Sequence, residues 1–231
     1  MANKAAFIVI EGSDGSGKGT HFNLLIDWLK TQGVKLEAFD FPQYGEPSAY
    51  FVEKYLNGGY GTAEEVGAYK ASLFYALDRF DASAKIRAAL DSGLVVLCNR
   101  YVASNMGHQG AKLPTAEARK RYFEWNERLE FDALGIPRPD LNLVLHMPAI
   151  AAQQFVDLKP ARGYITTGKR DIHENDLEHL KRAAATYAEI CKLFPDNFTR
   201  IDCAKGEKVR DIEDIQQDIR RLVSPLLGVQ P

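Results

Sequence analysis

The apolar positions fall into two alternating rhythms. Residues 5–12, AAFIVIEG, form a short, nearly unbroken apolar run rich in β-branched side chains, which predicts a strand covered on both faces near the middle of a sheet. From Lys18 the period lengthens. Phe22, Leu25, Ile26 and Leu29 recur at helical spacing, and TQG ends that helix before VKLEAFDF resumes strand character. The exchange repeats through a helical region from about Ala63 to Asp91, the strand GLVVLCNR, helices to about Leu134 and the strand LNLVLHM. A helix from Asp176 to Leu193, the strand FTRIDC and a last helix to about Leu222 complete the chain. Strand–helix alternation predicts right-handed crossovers, an α/β three-layer sandwich with a parallel sheet between helices, and ligands at the carboxyl ends of the strands.

One stretch lacks either rhythm. LKPARGYITTGKRDIHEND, residues 158–176, carries Lys159, Arg162, Lys169 and Arg170 among glycine and proline breaks, a composition suited to a mobile cover. No internal repeat or low-complexity linker divides the rest, so 231 residues with 45% hydrophobic content are expected to fold as a single domain, residues 1–231. A formal charge of −2 argues against a polyanion such as nucleic acid as partner, while leaving room for a local basic cluster around a smaller anion. Cys98, Cys191 and Cys203 are odd in number, far apart and without zinc spacing, and read as buried thiols of a reducing compartment. The opening MANKAAFIVIEG has too short an apolar run for a signal peptide, and no later run is long enough to span a bilayer; a cytoplasmic protein with no membrane partner is expected.

The first strand exits into GSDGSGKG. Gly12, Gly17 and Lys18 satisfy G-x-x-x-x-G-K between a buried strand and a helix, the setting in which that motif wraps phosphate. Without Cβ atoms the backbone can curl until successive N–H groups point inward, the next helix adds its positive end, and Lys18 adds a mobile charge. An ordinary glycine turn with a surface lysine is the bland alternative. A dinucleotide site is another, since Asp40 ends the next strand where a ribose-binding acid could sit, but the spacing does not match G-x-G-x-x-G. The residue after Lys18 is Gly19, so the hydroxyl that commonly binds magnesium there is missing, and Thr20 follows it.

Two further clusters point to a second ligand. NRYVASN, residues 99–105, delivers Asn99, Arg100, Ser104 and Asn105 to the same sheet edge as the phosphate loop. SLFYALDRF sets Tyr75 and Arg79 four apart on one helix face, where a ring and a guanidinium can hold a base by stacking and hydrogen bonding. The alternative is a core tyrosine and a surface ion pair of Arg79 with Asp78 or Asp81.

Taken together, EGSDGSGKGT, FPQYG, YALDRF, NRYVASN and LEFDALGIPRPD resemble the thymidylate kinases, bacterial ones in particular, in matching order from about residue 5 to residue 190. The resemblance implies a five-stranded parallel P-loop kinase sheet, transfer of the ATP γ-phosphate to dTMP, a requirement for Mg2+, and a homodimer formed through helices flanking YALDRF. It also assigns roles. Lys18 and the amides of Gly15, Ser16, Gly17, Lys18, Gly19 and Thr20 would hold ATP phosphates, and Asp14 would face the acceptor sugar and the metal. Arg100 and Tyr44 would grip the acceptor monophosphate beside Phe41 and Pro42. Tyr75 would stack on thymine, Arg79 and Asn105 would bond its edge with Ser104 assisting, and His108 would crowd the sugar 2′ position. In the cover, Asp171 and Glu174 would turn toward substrate or metal, and Arg162 and Arg170 toward the transferring phosphoryl group.

Phosphoryl transfer needs alignment and charge neutralisation more than covalent help. SDGSG contains no arginine, so cationic help is expected from Arg162, Lys169 or Arg170. Asn99 stands where the family usually has aspartate, which predicts weaker magnesium binding that leans on Asp14 and Glu174. A deoxynucleoside kinase and a GTPase-like nucleotide switch are the competing functions. Against the switch, the chain has no N-K-x-D stretch.

Overall fold

The computed structural model describes residues 5–157, 177–206 and 208–230. Its centre is a five-stranded parallel sheet formed by β1 (Ala6–Glu11), β2 (Leu36–Asp40), β3 (Val95–Asn99), β4 (Leu141–His146) and β5 (Phe198–Asp202), in the order β2-β3-β1-β4-β5. The apolar run of β1 therefore does lie at the middle, and all six of its residues are buried. Its side chains alternate between two cores. Phe7 and Val9 face one layer, and Ala6, Ile8 and Ile10 the other.

The first layer holds α3 (Ala63–Asp91), α4 (Val102–Gly110), α5 (Ala116–Glu127) and α7 (Leu177–Leu193), which contribute Ile86, Met106, Tyr122, Phe123 and Tyr187 to the core. The second holds α1 (Lys18–Thr31) and α8 (Ile212–Leu227), with Leu25, Leu29, Ile215, Ile219 and Val223 against the sheet. The strand–helix alternation thus gave the right sheet and the right layers.

Several elements differ from the sequence-based boundaries. A short helix α2 (Tyr50–Leu56), preceded by a single 3-10 turn at Pro47–Ala49, and α6 (Ala149–Asp157) occupy stretches with too few turns for a period to register. The last helix runs to Leu227, past Leu222, because Val223 and Leu227 continue its apolar face and Pro225 falls in the final turn, before Gly228 closes it at φ 69°. A two-stranded antiparallel pair, β6 (Ala204–Lys205) with β7 (Lys208–Val209), is too short for any sequence period. Helix α3 is broken at Gly67, whose φ of 74° only glycine adopts at little cost. Cys98 and Cys203 are buried as free thiols, whereas Cys191 is half-buried. Among the described residues no helix is long and apolar enough to cross a membrane.

The α4–α7 contact brings the two halves of the first layer together, and its closeness depends on Gly107. A Cβ there would lie 2.5 Å from Tyr187 Cζ, inside van der Waals contact with a ring that is itself fully packed. Gly107→Ala is expected to destabilise the fold by about 1–3 kcal/mol through overpacking. Urea unfolding measures this, and an unchanged midpoint would show that the ring has room to move.

Candidate active site

Parallel register sets the exits of β1 and β3 side by side, with Ile10 opposite Asn99. The phosphate loop leaves β1 with glycines where side chains cannot fit. A Cβ on Gly12 would strike the Leu145 carbonyl of β4, and one on Gly15 would strike the Ala152 backbone of α6. Both also have positive φ, 143° and 77°. Lys18, at the first turn of α1, is buried and donates from Nζ to the Ser13 carbonyl at 2.7 Å. Gly19 and Thr20 are exposed on the outer side of that turn.

Behind the loop lies a group that sequence reading missed. His21 is buried, and its Nδ1 lies 2.8 Å from Nε2 of Gln216 on α8. An amide nitrogen can only donate, so Nδ1 accepts. Burial lowers the histidine pKa to about 4, so the ring is neutral at pH 7.

Arg100 follows β3 directly, with φ at 68°, in the left-handed region that costs a non-glycine residue about 1–2 kcal/mol. That twist turns its side chain toward the phosphate loop. Its guanidinium is ion-paired with Asp14 Oδ1, and Nη1 lies 3.4 Å from the Gly12 carbonyl, 3.4 Å from Ser104 Oγ and 3.1 Å from His108 Nε2. Arginine has no acceptor, so His108 Nε2 must be the unprotonated nitrogen and Nδ1 carries the proton. Burial pushes the His108 pKa well below its usual value, with Asp14 opposing and Arg100, His179 and Lys18 reinforcing the shift.

The wall opposite is built from the segment after β2 and from α3. Asp78, one residue before Arg79, is buried and accepts from Gln43 N at 2.9 Å and Ser48 Oγ at 2.6 Å, which fixes the FPQYG turn against α3. Asp78 is thereby engaged, and Asp81 is exposed on another face. The surface ion pair of Arg79 with either aspartate does not form. Arg79 is instead buried and bonds Glu130 through Nε at 2.6 Å and Nη2 at 2.7 Å. Tyr75 meets Tyr55 edge to face, 6.4 Å between centroids, so it is braced from behind.

Asp14, Phe41, Pro42, Tyr44, Tyr75, Arg79, Arg100, Ser104, Asn105 and His108 line one cleft. Leu56 and Gln109 line it too, although neither stood out in the sequence. Arg162, Lys169, Arg170, Asp171 and Glu174 lie outside the described residues.

Asn99, at the end of β3, donates from Nδ2 to Asp40 Oδ1 at 2.9 Å, so Asp40 is tied to its neighbouring strand. Among the described residues no three His, Cys, Asp or Glu side chains gather as a metal cluster. Mg2+ commonly takes one or two carboxylates together with substrate phosphates. Asp14, beside the phosphate loop, is a carboxylate that fits such a donor set.

The family model described as thymidylate kinase matches residues 10–219. A thymidylate kinase of Mycobacterium tuberculosis is 34% identical over 185 residues, covering 79% of this chain and 84% of that protein. A probable thymidylate kinase of Pyrococcus horikoshii is 29% identical over 225 residues, covering 96% and 98% respectively. In structure, a thymidylate kinase from Candida albicans superposes with a TM-score of 0.71 at 19% identity, over 97% of this chain and 93% of that one, a likeness of fold. With the P-loop kinase fold and a family match over most of its length, the chain belongs to the thymidylate kinase family.

Proposed function

We propose that the protein transfers the γ-phosphoryl group of ATP to dTMP, giving ADP and dTDP. The observation that carries this reading is the place of Arg100. Its guanidinium touches Asp14 and the Gly12 carbonyl of the phosphate loop on one side and Ser104 and His108 of the cleft on the other. A cation so placed lies where two phosphate groups would meet. A neutral nucleoside acceptor would bring no phosphate to this cation or to Tyr44 on the same cleft.

In this reading the ATP phosphates sit on the amides of residues 15–20 with Lys18, and the acceptor phosphate on Arg100 and Tyr44. Tyr75 stacks on the base, Arg79 and Asn105 meet its edge, and His108 crowds the sugar. A phosphate oxygen of dTMP attacks the γ-phosphorus while the bond to the bridging oxygen of ADP breaks. Alignment and charge supply the rate. Mg2+, when bound, supplies positive charge to the phosphate oxygens of ATP; Asp14 and Glu174 are the proposed protein carboxylates for it. Asn99, an amide turned to Asp40, adds no negative charge.

The protein acts as a homodimer in this proposal. Tyr69, Leu73, Leu77 and Phe80 project from α3 at helical spacing, each 41–47% exposed. Four large apolar side chains in one stripe suit a self-complementary interface.

Incubation with ATP, Mg2+ and each of dTMP, dUMP, dCMP, dGMP and thymidine tests the central claim. ADP should form fastest with dTMP and not with thymidine, and a preference for thymidine would refute the placement of Arg100. Arg170→Ala should lower kcat at least tenfold with ATP affinity nearly unchanged, the signature of a cation acting on the transition state. A near-normal turnover would assign that work to Arg162 or Lys169. Leu77→Glu should convert the dimer to monomer in analytical ultracentrifugation. A wild-type protein that sediments as a monomer at micromolar concentration would rule the interface out.

A further inference from the structure

Asn105 is 2% exposed, and its amide nitrogen has three partners: the Ser72 carbonyl at 3.1 Å, Glu130 Oε1 at 3.0 Å and Asn126 Oδ1 at 3.3 Å. A backbone carbonyl cannot donate, and a carboxylate already receiving two bonds from Arg79 is ionised and cannot donate either. Turning the amide over would press its oxygen against both. The orientation is therefore dictated by chemistry, and Oδ1 is left as an acceptor for the cleft that Asn105 lines.

Glu130 acts on Arg79 in the same way. It takes Nε and one Nη2 hydrogen, while Nη1 has no protein partner among the described residues. One fully buried carboxylate thus draws two side chains' donors to itself and leaves the cleft a guanidinium donor beside an amide acceptor. The complementary base edge has a carbonyl beside a ring N–H, as in thymine and uracil. Cytosine offers the reverse, an amino group beside a bare ring nitrogen.

We infer that Glu130 is a positioning residue that sets base specificity by holding Asn105 and Arg79 in the orientation that accepts a 4-oxo pyrimidine and rejects a 4-amino one. The inference rests on the proposed base site. Glu130 itself is placed by a π-helical turn, Arg128–Ala133, that follows α5 and swings it inward. The opposite orientation has one attraction: Asn126 Nδ2 is buried without a partner among the described residues, and reversing both amides together would set it against Asn105 Oδ1. Glu130 and the Ser72 carbonyl oppose that reversal, and only Glu130 can be changed by substitution.

The test compares kcat/KM for dTMP and dCMP in the wild type and in Glu130→Gln, whose amide can donate to a reversed Asn105. The ratio of dTMP to dCMP should fall at least tenfold in the variant, with KM for ATP unchanged. A purely structural role would lower both substrates alike and leave the ratio alone, overturning the inference. A wild type with no preference for dTMP over dCMP would overturn the base site and this inference together. If Glu130→Gln does not fold, Glu130→Asp serves. It keeps the charge but is one methylene too short to reach both donors, so Asn105 and Arg79 lose their common anchor and the ratio of dTMP to dCMP should again fall, at least fivefold. An unchanged ratio in that variant also overturns the inference.

Discussion

A carboxylate buried at the end of the central strand holds the site together. Glu11 has no exposed surface, and its two oxygens receive four donors: Tyr101 N at 2.7 Å, Ser104 N at 3.1 Å, Ser104 Oγ at 2.7 Å and Tyr187 Oη at 3.2 Å. The first two are amides at the start of α4, where backbone donors lack full helical partners; Ser104 N also reaches the Tyr101 carbonyl, at 3.1 Å. Glu11 is thus an N-terminal cap supplied by another element, with the helix dipole adding to the attraction. Because Gly12 follows Glu11, and Arg100 immediately precedes Tyr101, one set of bonds fixes the phosphate loop relative to the arginine that faces it. The hydroxyl from α7 brings in the third element. A buried carboxylate lacking these donors would cost several kcal/mol, so loop, arginine and helix are held in common register.

This shows what was legible in the sequence and what was not. The sheet, its central strand and the two helical layers follow from local periods, and the glycine loop follows from spacing. Ten of the proposed substrate residues share one cleft because each lies at a strand exit or on a helix face that parallel topology brings there. The roles of Glu11, Asp78, His21 and Glu130 were not legible, for one shared reason. Each is a buried polar group whose importance lies in a partner distant in sequence, 51 residues away for Glu130 and Arg79, and a single chain gives no hint of that pairing. Without it, Arg79 reads most simply as a partner for an adjacent aspartate.

The two guanidiniums of the cleft are held differently. Arg79 is 2% exposed and bound twice by Glu130, an arrangement whose desolvation cost is large and whose return is orientation. Arg100 keeps 16% of its side-chain surface, and beside its ion pair with Asp14 its Nη1 meets Gly12, Ser104 and His108 at 3.1–3.4 Å. Those three contacts are to neutral groups and can be exchanged for a phosphate with little loss, while the pair with Asp14 stays. In the proposed reading the fully buried arginine meets the base and the more exposed one receives the anion.

The same contrast bears on the departures at Gly19 and Asn99. Within the described residues the space between the phosphate loop and the cleft holds Lys18 and Arg100 as cations and Asp14 as the paired carboxylate. An aspartate at position 99 would face Asp40, whose oxygen now lies 2.9 Å from the amide nitrogen, and two carboxylates at that distance repel unless a proton or cation lies between them. The amide removes that demand and lets β2 and β3 end in a hydrogen bond that needs no ion. The consequence for the proposed reaction is a shift of electrostatic work away from a strand-end carboxylate and its metal, toward protein cations around the phosphates. In that proposal the arginine beside Asn99, held by Asp14 and braced by a neutral His108, is the more decisive charge.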